Sequence, residues 1–159
     1  MWFLKTSVKE EELQYVINEL DPDVICLTET WMDDSVPKTA YIPQGYKIIR
    51  KDRSENYKQK YGRNKGGGVA VLHKEHIKVE KKEYLSDDVE EILWVHVKTK
   101  QSFLLGTLYR AEYTEILDDE EESILEESIR KATEITNNVI VTGDFNIDML
   151  DPSDKKHKA

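Results

Sequence analysis

The chain has 159 residues with 23 basic and 32 acidic side chains, a net charge of −9, and is 35% charged and 38% hydrophobic. This is the composition of a folded, soluble chain of about one domain's length, not of a disordered one. One cysteine, Cys26, excludes an internal disulfide framework and a cysteine-cluster zinc site; no apolar stretch approaches the ~20 residues of a membrane span, and Met1-Trp2-Phe3-Leu4 stops at Lys5, short of a signal-peptide core. The expectation is a single domain over residues 1–159, intracellular, with no membrane partner.

Ser7-Val8-Lys9-Glu10 has the form of a capping box, and Leu13, Val16, Ile17 and Leu20 repeat at helical spacing, which predicts a helix over 8–20. Asp21-Pro22-Asp23 stops it. Val24–Leu27 is a continuous apolar run, the pattern of a strand covered on both faces. Strands are also predicted at 46–50, 67–73, 92–98 and 103–109. A second helix is expected over 123–136, with Ile124, Leu125, Ile129, Ala132 and Ile135 on or near one face, and a final buried strand over 139–142. Helix, strand, several strands, helix, strand is an α/β arrangement with mixed strands. Residues 151–159 read as a polar tail.

Charge is segregated along the chain. Residues 47–65 hold eight basic side chains, Lys58, Lys60 and Arg63 among them, against Asp52 and Glu55; residues 115–127 hold eight acidic ones and none basic. The basic block is a candidate polyanion contact, and a solvated lysine-rich loop is the other reading. The acidic block fits a helix N-terminus, where the macrodipole favours carboxylates.

Two of the apolar strands run into polar clusters, Thr28-Glu29-Thr30-Trp31 and Gly143-Asp144-Phe145-Asn146. The carboxyl ends of strands are where α/β folds gather ligands, and a carboxylate there can hold a hard cation such as Mg²⁺. An Asp and an Asn two apart on an extended segment point to one face, which lets a carboxylate and an amide address the same phosphate and its attacking water. Taken singly, each cluster is also ordinary turn chemistry.

In order along the chain, Leu20 to Trp31, Gly66-Gly67-Gly68-Val69-Ala70-Val71, Leu108-Tyr109-Arg110 and Thr142-Gly143-Asp144-Phe145-Asn146 resemble the endonuclease/exonuclease/phosphatase family, most of all the apurinic-type endonuclease domain of non-LTR (LINE-like) retrotransposons. The resemblance covers roughly residues 7–150. It implies a two-sheet α/β sandwich with its site at the strand ends, cutting phosphodiester or phosphomonoester bonds with Mg²⁺, or with Mn²⁺ in its place. By this resemblance Glu29 is the metal ligand. Asp144 orients or deprotonates the attacking water, Asn146 binds the scissile phosphate, Tyr109 approaches that phosphate and Arg110 assists. DNA is the implied partner, with Lys58, Lys60 and Arg63 as further contacts, a reverse transcriptase downstream in the parent protein, and the nucleus as a compartment open to it.

The sequence departs from the family at both ends. The asparagine motif expected before the first helix is replaced by about Leu4-Lys5-Thr6-Ser7, and no Ser-Asp-His-type motif closes the chain. His73, His76, His96 and His157 lack its context and read as structural or exposed. The expectation is therefore a sandwich incomplete at the C-terminus, with nicking at background. The competing readings are an inactive retroelement fragment with at most weak nucleic-acid binding, and a phosphatase of inositol or sugar phosphates, which the basic block and Tyr109-Arg110 disfavour.

Overall fold

The computed structural model describes residues 7–37, 40, 42–55, 59, 66–85, 91–110 and 119–146. Helix α1 spans Ser7–Leu20 and ends where Asp21, at φ 43°, donates its amide to the carbonyl of Ile17 (2.9 Å), the left-handed stop that closes many helices. Strands β1 (Val24–Thr28), β2 (Tyr46–Lys51) and β3 (Val69–Lys74) form an antiparallel sheet in the order β1-β3-β2. Strands β4 (Lys78–Lys81), β5 (Ile92–Lys98), β6 (Phe103–Tyr109) and β7 (Val139–Asp144) form the other sheet in chain order, antiparallel except for the β6–β7 pair. Helix α2 spans Asp119–Ile135 and supplies the crossover that a parallel pair requires.

Side chains alternate across each strand, so every sheet has two faces to cover. Leu13 and Ile17 of α1 pack with Leu27, Ala70 and Leu72 on the outer face of the first sheet. Val69, Val71, Leu93, Val95, Leu105 and Tyr109 fill the space between the sheets. Ile92, Trp94, Leu104 and Leu108 pack under Ala132, Leu125 and Ile129 of α2. The result is a helix–sheet–sheet–helix sandwich, the two-sheet α/β architecture expected.

The differences from the predicted elements have local causes. The third strand begins at Val69, not Gly67, because Gly66, Gly67 and Gly68 all have φ between 79° and 85° and cannot join a ladder. Strand β4 has one apolar residue in Lys-Val-Glu-Lys and therefore no hydrophobic signature; it is a charged edge strand. The second helix begins four residues earlier, within the acidic run, and Ile135 is exposed at its last turn. β1 and β7 are only partly covered because each lies at the edge of its sheet among the described residues, and Ile140 is 49% exposed.

Trp94 sets how α2 meets its sheet. Its indole lies across Gly106, where a Cβ would stand 2.9 Å from the ring, and its Nε1–H donates to Ser128 Oγ at 2.8 Å. Ser128 Oγ–H in turn donates to the Leu85 carbonyl. Gly106→Ala is expected to force this ring outward and cost about 1–3 kcal/mol. The check is a lower urea midpoint with an unchanged slope.

Candidate functional site

The ladder registers bring the C-terminal ends of β1 and β2 beside the N-terminal end of β3, and those of β6 and β7 beside the N-terminal end of β5, and the bonds of Glu91 to Arg53 and Gly68 join the two sets on one rim of the sandwich. Glu29 is the first residue after β1. It takes φ 54°, and Trp31 takes φ 56°, both in the left-handed region that non-glycine residues avoid. Backbone bonds hold this turn: Thr30 N–H donates to Gly68 O (3.2 Å) and Trp31 N–H to Gly67 O (2.9 Å). They carry the β1–β3 pairing past the ends of both strands.

Glu29 is 7% exposed, and a carboxylate so placed must be solvated by the protein. Its Oε2 accepts the Gly67 amide at 2.8 Å and the Trp31 indole N–H. The Tyr109 hydroxyl donates to the same carboxylate. That phenol is pushed far above its ordinary value of 10.0, first by burial, then by its bond to Glu29 and the negative charges of Glu29 and Glu91, with Arg53 opposing. Tyr109 is therefore a neutral donor at any working pH.

Asp144 sits opposite Tyr109 in the β6–β7 register, so both side chains leave the sheet on the same face, the one that meets β1. Asp144 is exposed where Glu29 is buried. Arg110 N–H donates to Asp144 O at 2.9 Å, Asn146 N–H to Asp144 Oδ1 at 3.0 Å, and the Asn146 amide to Arg110 O. The extended Asp-x-Asn segment expected from the sequence is not what forms. The strand ends at Asp144 and Asn146 turns to φ 47°, so the pair meets through an Asx turn and not through a shared strand face.

Glu29, Tyr109, Arg110, Asp144 and Asn146 are thus brought to one rim. Lys58, Lys60 and Arg63 lie outside the described residues. Two other members of the basic block are committed to the fold: Arg50 binds Asp52 (3.1 Å) and the carbonyls of Asp33 and Val36, and Arg53 is buried against Glu91 at 2.8 Å. A cleft of about 580 Å³ opens beside β2, lined by Arg50, Lys51, Arg53 and Lys81 together with Asp33 and Asp52, so its charge is mixed. His73 and His76 stand at the far end of β3, away from the rim. The sequence does not single out Trp31, Arg53 or Glu91 for the site; Trp31 closes the Leu20–Trp31 motif, but nothing in the sequence pairs Arg53 with Glu91.

The donors at this rim are oxygens, and among the described residues no group of three or more His, Cys, Asp or Glu side chains stands together to cage a metal. That set fits a hard divalent ion bound through one or two carboxylates that keeps most of its water, and not a zinc site.

A family model described as the Endonuclease/Exonuclease/phosphatase family matches residues 2–158, and the chain belongs to that family. Its members hydrolyse phosphoester bonds and generally use divalent metal ions. Among solved structures, the endonuclease domain of TRAS1, a telomere-specific non-LTR retrotransposon, is similar with a TM-score of 0.60 at 15% identity, covering 90% of this chain and 55% of that one. The 3′ phosphatase NExo from Neisseria, bound to a product DNA hairpin, has a TM-score of 0.60 at 18% identity, over 89% of this chain and 54% of that one. ANGEL2, a 2′,3′-cyclic phosphatase, has a TM-score of 0.62 at 18% identity, over 89% and 44%. The chain spans about half the length of these structures. No curated protein matches it in sequence.

The Tyr109 shift has a definite sign. The folded state keeps this proton above pH 10 while the unfolded chain releases it there, so the stability it contributes is complete below about pH 10 and is lost as pH rises beyond. Tyr109→Phe is expected to flatten this alkaline decline, measured by urea midpoints at neutral pH and above pH 10.

Proposed function

We propose that the chain is a Mg²⁺-dependent phosphodiesterase domain that cuts DNA, of the apurinic-type endonuclease kind found in non-LTR retrotransposons. One observation carries the reading: a buried carboxylate, a neutral phenol hydrogen-bonded to it, and an exposed Asp–Asn pair are brought from β1, β6 and β7 to a single rim. Two of the similar structures named above are a retrotransposon endonuclease and a phosphatase bound to DNA, which supports DNA over a small phosphate ester. The reading includes a reverse transcriptase in the same parent polypeptide and work in the nucleus, where its substrate lies.

Each residue then has a task. Glu29, with Asp144 facing the same opening, holds the cation, with Mn²⁺ able to stand in for Mg²⁺. When bound, the ion supplies positive charge to the phosphate oxygens. Asp144 is accessible to solvent and keeps one carboxylate oxygen beyond the bond from Asn146, which suits a group that orients and deprotonates water. One hydrogen of the Asn146 amide is held by Arg110 O, which fixes the amide plane at the rim where a phosphate would meet it. Tyr109 donates without ionising. Arg110 follows it with a fixed charge suited to the DNA backbone.

A second reading, binding without turnover, is favoured by the absence of any histidine at this rim among the described residues. A plasmid-nicking assay in Mg²⁺ separates the two. Nicking that Asp144→Ala reduces by about 100-fold or more assigns turnover to this chain; nicking at background in wild type and variant alike, the outcome expected from the sequence, assigns it binding without turnover. Calorimetric titration with Mg²⁺ is expected to give weak binding that Glu29→Gln abolishes, and indistinguishable heats would remove Glu29 from the metal site.

The basic block has its own test. If Lys58, Lys60 and Arg63 touch phosphates, the affinity for duplex DNA falls with salt by about 0.9 log unit per contact per log unit of salt, and reversing their charges flattens the slope. A shallow slope that the reversals do not change assigns the block to solvent.

A further inference from the structure

Arg53 and Glu91 form a buried ion pair that the reaction scheme leaves unused. Each side chain is 4% exposed, and the guanidinium meets the carboxylate as a fork, Nε to Oε1 at 3.1 Å and Nη2 to Oε2 at 2.8 Å. Such a pair is a poor source of stability, because the cost of drying two charges consumes most of their attraction. Its position is more informative. Arg53 follows β2 in one sheet and Glu91 precedes β5 in the other, so the pair joins the sheets at the rim that carries the site.

Glu91 Oε1 also accepts the Gly68 amide at 2.6 Å. The preceding amide, Gly67, is the one that holds Glu29 Oε2. A Cβ at Gly67 would overlap both the Glu91 carboxylate and the Arg53 guanidinium, so the glycine run is seated directly on the pair. The backbone carbonyl of Glu91 accepts Tyr109 N–H at 2.9 Å. A single residue thus reaches the supports of both Glu29 and Tyr109.

We propose that Glu91, packed against Arg53, is the positioning residue of the site: by accepting the Gly68 amide it fixes the Gly66–Gly68 run, and through it the orientation of the Glu29 carboxylate. This rests on the reading of Glu29 as the working carboxylate. Glu91 does not touch the reacting atoms; it acts through the glycine amides.

Two charge-neutral double variants separate this role from plain stability. Arg53→Met with Glu91→Gln keeps an acceptor facing Gly68, whereas Arg53→Met with Glu91→Leu removes it. Replacing both members of a buried pair with side chains of similar volume is often neutral for folding. The readouts, taken on metal-free protein by NMR, are amide hydrogen exchange at Gly67 and Gly68 and the Trp31 indole N–H resonance. Exchange at Val95 and Leu105 reports on the fold. The Leu variant is expected to exchange Gly68 about tenfold faster or more and to shift the Trp31 indole resonance, the Gln variant to restore both, and Val95 and Leu105 to stay protected in each. Unchanged Gly67 and Trp31 signals in the Leu variant overturn the proposal. Loss of Val95 and Leu105 protection in either variant also overturns it, because the pair would then belong to the fold and not to the site. No readout uses metal, nucleic acid or turnover, so failed nicking and a failed positioning role are separate results.

Discussion

A carboxylate held at the end of a strand with little access to water needs donors from the protein, and Glu29 takes them from backbone and ring N–H groups and a phenol. That requirement shapes the rim. The Gly67 amide reaches Glu29 only because three successive glycines adopt left-handed backbone, and a Cβ would strike Arg53 and Glu91 at Gly67 and Thr30 at Gly68, and would stand close to Glu29 at Gly66. Glycine here is a condition of close approach.

The two halves of the site are built differently. On the β1 side Glu29 is buried, multiply hydrogen-bonded and set by a strained turn, with Glu29 and Trp31 both at positive φ. Backbone of this kind costs on the order of 1–3 kcal/mol per residue and persists only where the surroundings over-determine it. On the β7 side Asp144 is exposed, and its restraint comes from backbone bonds to Arg110 and Asn146. A fixed half and an accessible half suit a site in which one carboxylate must stay in place and the other must meet water.

The sheet edges show the same asymmetry across the sandwich. β2 and β4, on one side, carry Lys47, Arg50, Lys51, Lys78, Glu80 and Lys81, the charges that discourage strand addition. β1 and β7, on the other, have no charge before Asp144, and Ile140 stands half exposed. Since the chain spans about half the length of its solved relatives, much of their structure has no counterpart in it.

Local chemistry made most of the architecture legible in the sequence. The helical repeat of Leu13 and Ile17, the apolar runs at 24–27 and 103–109, and the polar clusters that follow strands each depend on residues near one another in the chain, and the elements they predict are present. Glu29, Asp144 and Asn146 are marked in the sequence by their place after apolar strands, whereas Tyr109 and the roles of all four come only from the resemblance of the motifs to the family. Tertiary structure alone decided the rest. Strand β4 exists because β5 offers it a ladder, not because Lys-Val-Glu-Lys favours a strand. Arg53, read in sequence as one of eight basic residues in a candidate polyanion contact, is neutralised by Glu91, 38 positions away, and the burial of Glu29 depends on a glycine run equally distant. Charge and periodicity describe a residue's own segment; which segments a buried charge will face is set by how the two sheets close on each other, and that appears only once they are packed.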